Sequence, residues 1–209
     1  MSPELEGLEF TALAVSPKRL FLGSSQTLFL LSNPSGEIIT QVTPHTTPIH
    51  TIAYSRELDV ITTGAVDDRF IAVFSAEDSL TRLGSLTCTH DVRSLKIYRD
   101  TLLAITTVGT LEIFQSFNSG FDSSKKGGLT KPPTAEIHLT TTTHTAKLEV
   151  QDVVPSGKGI MISWIEGAKT GFETLEITSF VGKVEINIQT RREQYQQQVH
   201  LIQENQANS

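Results

Sequence analysis

The stretch that most constrains this chain runs from Pro44 to Phe74, PHTTPIHTIAYSRELDVITTGAVDDRFIAVF. After the turn residues Pro44 and His45, apolar side chains follow at Ile49, Ile52 and Tyr54, the last two at alternate positions. A second apolar run, Val60 and Ile61, passes through Thr62 and Thr63 to Gly64. Asp67-Asp68 then reads as a tight turn, and a third run closes on Phe74. Alternation at period two places every second side chain on one face of an extended strand. The stretch therefore predicts three short antiparallel strands joined by tight turns.

The same plan extends in both directions. Upstream, candidate strands cover Phe10–Val15, Arg19–Leu22, Leu28–Leu31 and Glu37–Val42, punctuated by Ser16-Pro17, Ser24-Ser25 and Asn33-Pro34-Ser35-Gly36. A fourth strand of the central unit falls at Leu80–Leu86. Downstream, Val92–Tyr98, Leu102–Thr106 and Leu111–Phe114 form a third unit that resumes at Ile137–Thr141. A fourth unit reads Leu148–Val154, Gly159–Ile165, Phe172–Ile177 and Val184–Ile188. The predicted third-strand ends Leu31, Phe74 and Phe114 lie 43 and 40 residues apart (74 − 31 and 114 − 74). The histidines preceding the first strands, His45, His90 and His144, lie 45 and 54 apart (90 − 45 and 144 − 90). The longer gap contains an insertion, residues 116–134, rich in Gly, Ser and Lys with a Pro-Pro pair, which predicts a flexible solvated loop. No helical periodicity of useful length appears in residues 8–43. Residues 191–209 form a polar, Gln-rich tail in which Tyr195, Val199 and Ile202 fall at helical spacing, so a short helix and a frayed end both fit.

A repeat of this length and strand content resembles the blade of a WD-repeat β-propeller, whose period is about 40–45 residues. Such blades place a His before the first strand, a Ser or Thr on the second, an Asp in the next turn and an aromatic at the end of the third. By position these are His45, Thr63, Asp68 and Phe74. The resemblance implies a hydrogen-bonded relay through the polar three. The third unit has no Asp in its second turn, Thr107–Thr110, so its relay is expected to be incomplete. The expected architecture is thus all-β, with residues 1–190 forming a partial WD-repeat propeller. Its blades fall at about residues 8–43, 44–88, 89–141 and 142–190. A blade buries both faces against its neighbours. Four blades are therefore expected to be part of a larger, about seven-bladed ring. The missing blades would come from the same protein or from a partner chain. An evenly stranded β-sandwich is the competing architecture.

Two segments, ITTGAVDDRFIAVF (Ile61–Phe74) and THDVRSLKIYRDTLLAITTVGTLEIF (Thr89–Phe114), resemble one WD-repeat family, the fifth of the U-three-RNA-associated proteins of the small-subunit processome. GIMISWIEG (Gly159–Gly167) is similar more loosely. In that family a similar sequence runs from an Asp-Arg-Phe turn into a Leu-Glu-Ile-Phe strand, followed by a Lys-rich insertion. Lys125, Lys126 and Lys131 occupy that insertion here, which is less basic. The resemblance implies a nucleolar, non-enzymatic scaffold of the early pre-ribosomal RNA subcomplex, supporting ribosomal RNA transcription and small-subunit RNA processing. Its implied partners are other propeller and helical subunits of that complex, with pre-ribosomal RNA contacted weakly or indirectly. No cofactor and no small-molecule substrate are implied.

Composition bounds the function classes. The 209 residues are 38% hydrophobic, enough for a folded core, and the formal net charge is −6, so no global basic field draws the chain to nucleic acid or to anionic membrane. Any RNA contact would be local, and three lysines on a loop would grip phosphates without reading sequence. One cysteine, Cys88, permits no internal disulfide and fits a reducing compartment. No apolar run approaches the ~20 residues of a membrane helix, and the acidic start MSPELEGLEF lacks the order of a signal peptide. His45, His90 and His144 are joined by no Cys or carboxylate cluster of metal-ligand spacing. Neither a Gly-x-Ser-x-Gly nucleophile elbow nor a Gly-rich phosphate loop is present. Trp164 reads as core between blades. Asp68 and Arg69 read as a rim turn, the kind of place where propellers bind partners. The alternative function is a peptide-binding WD-repeat adaptor, such as a ubiquitin-ligase substrate receptor.

Overall fold

The computed structural model describes residues 5–118, 130–140, 148–156, 159–166, 168–176 and 180–187. Among them the chain is all-β, with no α-helix. The first sheet is an antiparallel meander of β1 (Ala12–Val15), β2 (Arg19–Ser24), β3 (Thr27–Ser32) and β4 (Ile38–Val42). The second repeats it with β5 (Ile49–Ser55), β6 (Val60–Ala65), β7 (Phe70–Ser75) and β8 (Arg82–Thr87). The third has β9 (Val92–Tyr98), β10 (Thr101–Thr106) and β11 (Leu111–Phe114). A two-residue strand, β12 (Thr130–Lys131), lies parallel on β8, and β13 (Ala135–Thr140) pairs antiparallel with β11. The fourth sheet holds β14 (Glu149–Ser156), β15 (Gly159–Glu166) and β16 (Lys169–Leu175).

Strict alternation lets one strand serve two cores. On β7, Ile71 and Val73 join a cluster with Leu95, Leu102 and Ala104 of the third sheet, whereas Ala72 and Phe74 face Phe21, Leu28 and Leu30 of the first. On β10, Leu102 and Ala104 face the second sheet, while Leu103 and Ile105 join Val150, Ile162 and Trp164 of the fourth. Every residue of β6 and of β10 is buried. Strands covered on both faces lose the charged, solvent-facing half of the pattern, and neither of these two carries a charged side chain. The four sheets thus form a series in which each packs on the next.

The junctions repeat a backbone anchor. Ile49 N–H donates to Ser25 O at 2.7 Å, Val92 N–H to Asp68 O at 3.0 Å, and Val150 N–H to Gly109 O at 2.9 Å. In each case the first strand of one sheet is tied to the middle hairpin turn of the sheet before it. Side chains add a second tie. Thr11 Oγ1 donates to Ile49 O, His50 Nε2 to Arg93 O at 2.9 Å, and Arg93 Nη2 to Val150 O. A Cβ on Gly109 would stand 2.8 Å from Glu149 Cα, and Gly109 has φ +75°, so glycine is required where the third and fourth sheets meet.

Two expectations need correction. The strand expected at Val184–Ile188 exists as β17 (Gly182–Asn187), but it does not complete the fourth sheet. It pairs parallel with β13, from Ala135↔Gly182 to Thr140↔Asn187, and Ile186 enters the core there. Backbone pairing is sequence-blind, and the alternation of β17 suits either edge. The insertion at 116–134 is anchored at both described ends. Phe117 is buried and its N–H donates to Asp100 O, while Thr134 N–H donates to Ile113 O at 2.7 Å. Lys131 therefore lies in a strand against β8 and not in a free loop. Lys125, Lys126, His144 and the tail at 191–209 lie outside the described residues.

Candidate functional site

The densest polar network picked out by sequence position sits where β6 turns into β7. His45 Nδ1 lies 2.9 Å from Asp68 Oδ2, and His45 Nε2 lies 2.9 Å from Thr63 Oγ1. With the carboxylate accepting from Nδ1–H, Nε2 accepts the Thr63 hydroxyl proton. Asp68 also closes its own turn by accepting Phe70 N–H at Oδ1, 2.9 Å away. Its backbone carbonyl is the one that anchors Val92 of the third sheet. The relay therefore holds the turn and, through it, the next junction. The order hydroxyl, imidazole, carboxylate has the outline of a nucleophilic triad. Thr63 is fully buried and His45 nearly so, which leaves that hydroxyl no path to a substrate. Phe74 is buried too and belongs to the apolar cluster with Phe21 and Ile61.

The third sheet does not repeat the relay. Four residues before the anchored Ile49 stands His45; four before the equivalent Val92 stands Cys88, not His90. Ile52 pairs with Thr63, whereas the equivalent Leu95 pairs with Ala104. The turn carbonyl of Asp68 corresponds to that of Gly109. His, Thr and Asp thus become Cys, Ala and Gly. His90 is exposed beside the Thr89 hydroxyl, so the apparent phase of the histidines is two residues off. A different pair, Thr106 Oγ1 and Thr110 Oγ1 at 2.7 Å, braces that turn.

Sequence reasoning missed the buried acids of the third sheet. Glu112 on β11 is fully buried and accepts Thr89 N–H at 2.9 and 3.1 Å and the Thr89 hydroxyl as well. Burial raises its pKa against the opposing effect of these donors. Burial, then the Glu112 charge, pushes the Cys88 thiol up, away from the thiolate. Directly opposite Glu112 in the register stands Glu136 on β13, also buried. It is held by His138 Nε2 at 2.8 Å and by Lys183 Nζ of β17 at 3.7 Å. The signal available was a Glu inside the apolar strand LEIF. Among the described residues no group of three or more His, Cys, Asp and Glu is arranged to hold a metal ion. No helix there is long and apolar enough to cross a membrane.

No protein-family model matches the chain, and no curated protein matches it. Solved structures do. The computationally designed Ika4 protein is similar at a TM-score of 0.57 and 12% identity, over 83% of this chain and 96% of that one. The designed Ika8 protein gives 0.54 and 14%, over 86% of this chain and 53% of that one. Hydrazine synthase from Kuenenia stuttgartiensis gives 0.59 and 11%, over 83% of this chain and 47% of that one. The chain thus spans nearly all of the first and about half of each of the others. At such identities the likeness is one of fold.

Proposed function

We propose that this chain is a non-enzymatic scaffold whose sheets are blades of a WD-repeat propeller, four of a larger, about seven-bladed ring. The carrying observation is the serial packing. The two middle sheets bury both faces, whereas the end sheets present apolar side chains outward, Leu13 and Val15 on β1 and Val154 and Phe172 on the fourth sheet. Further blades covering those faces would complete the object, and an exposed face of this kind marks an interaction surface. The resemblance of Ile61–Phe74 and Thr89–Phe114 supports a place in the early pre-ribosomal RNA subcomplex of the small-subunit processome, in the nucleolus. In this reading the chain serves ribosomal RNA transcription and processing through protein contacts, without chemistry of its own. The buried hydroxyl of the His45 relay supports the non-catalytic part.

Affinity purification of the tagged chain from cells, read by mass spectrometry, tests this. Ribosome-biogenesis factors should dominate the recovered set. A cullin adaptor in their place would turn the reading to a ubiquitin-ligase substrate receptor.

A further inference from the structure

A cavity of about 240 Å³ opens between the first two sheets, where the β1–β2 turn meets the β5–β6 turn. Ser16, Lys18, Arg19, Tyr54, Arg56 and Asp59 line it. Its walls are held from several sides. Asn33 Nδ2 donates to Ser16 O at 3.1 Å, and Arg19 N–H donates to Ser16 Oγ at 2.9 Å, which closes the first turn. Tyr54 stacks on Phe21 with ring centroids 5.3 Å apart and donates its hydroxyl to Asp59. Arg19 is committed: it meets Asp59 at 3.6 Å and Asp78 at 3.1 Å, and it donates to Ala76 O. Lys18 and Arg56 are different. They stand on opposite turns, are exposed, and form no ion pair among the described residues.

We propose that this cavity is a docking site for a phosphorylated side chain of a partner polypeptide. This deepens the scaffold reading and rests on it, by naming the chemistry of one partner contact. Three features select that ligand. Two uncommitted cations facing one opening suit a dianion, which can take a bidentate guanidinium contact and an ammonium contact together. The volume fits one side chain. A nucleic-acid strand needs an extended basic track, which two exposed cations on a chain of net charge −6 do not make.

The test uses the full chain and a capped Gly-phosphoserine-Gly peptide, followed by backbone amide shifts in NMR. The amides of Lys18, Tyr54 and Arg56 should move together and saturate. The unphosphorylated peptide should leave them still. Lys18→Ala and Arg56→Ala should each weaken binding about ten-fold, as expected for loss of one charged hydrogen bond. Both side chains are exposed, so melting should be unchanged. Shifts scattered over unrelated lysines, or equal affinity in the double variant, would overturn the site. Equal binding of a Gly-Glu-Gly peptide would overturn the phosphate assignment, and a response to inorganic phosphate without one to the peptide would overturn the polypeptide source. Loss of peptide binding with ribosome-biogenesis factors still recovered sinks this site alone. Retained peptide binding with none of them recovered sinks the scaffold reading alone.

Discussion

Glu112 shows how one buried group shapes stability. Its carboxyl receives donors from Thr89 yet has lost its water, and burial wins: its pKa is raised. The folded state therefore holds this proton more tightly than the unfolded chain does. Stability from this group is complete below the ordinary carboxylate range. It is lost as pH rises from there through the raised value. Glu112→Gln keeps an acceptor for Thr89 and removes the charge. Its melting temperature should exceed the parent's near neutral pH, with the difference shrinking as the pH falls below the ordinary carboxylate range. A difference independent of pH would contradict this account. The His45 relay makes the opposite case, since every member is satisfied. Asp68→Ala leaves the buried imidazole without its acceptor and should cost roughly 1–3 kcal/mol in denaturant unfolding. Because the role is structural, no single partner should be lost at a temperature where the variant is folded.

At the scale of the element, the junctions decide cooperativity. Val150 is anchored to the carbonyl of Gly109, a residue at positive φ with Glu149 at close range. Gly109→Ala meets both obstacles. The backbone alone should cost roughly 1–2 kcal/mol, and the fourth sheet must move away to admit the Cβ. Trp164, buried in the same interface, is the one tryptophan and reports on it. Its fluorescence should shift to the red in this variant, and Val150 N–H should lose hydrogen-exchange protection while β6 keeps its own. Uniform loss across all sheets would instead mean that the molecule unfolds as one unit. The tie between β17 and β13 is weaker at its surface: Lys183 is mostly exposed, so Lys183→Ala should cost well under about 1 kcal/mol.

For the whole molecule, the end faces matter more than the interior. Phe172 is 66% exposed on the outward side of the fourth sheet, where Val154 is also exposed. A surface aromatic contributes little to the fold that carries it. Phe172→Asp should therefore change stability by no more than about 0.5 kcal/mol. If another sheet covers this face in the assembly, the same change should abolish that association in sedimentation or size-exclusion measurements. Retention of the association would show that this face is not covered by another sheet.

Period-two alternation, read from residues alone, settled the all-β class and located β9 and β11 to the residue, because side-chain direction along a strand is a local property. It also placed His45, Thr63 and Asp68 near one turn, since all three lie within a single hairpin and its lead-in. Which edge β17 joins was decided only in three dimensions, as were the pairing of Glu112 with Glu136, the loss of phase at His90 and the cavity between Lys18 and Arg56. Each depends on segments far apart in the chain meeting through backbone bonds that look the same for any strand.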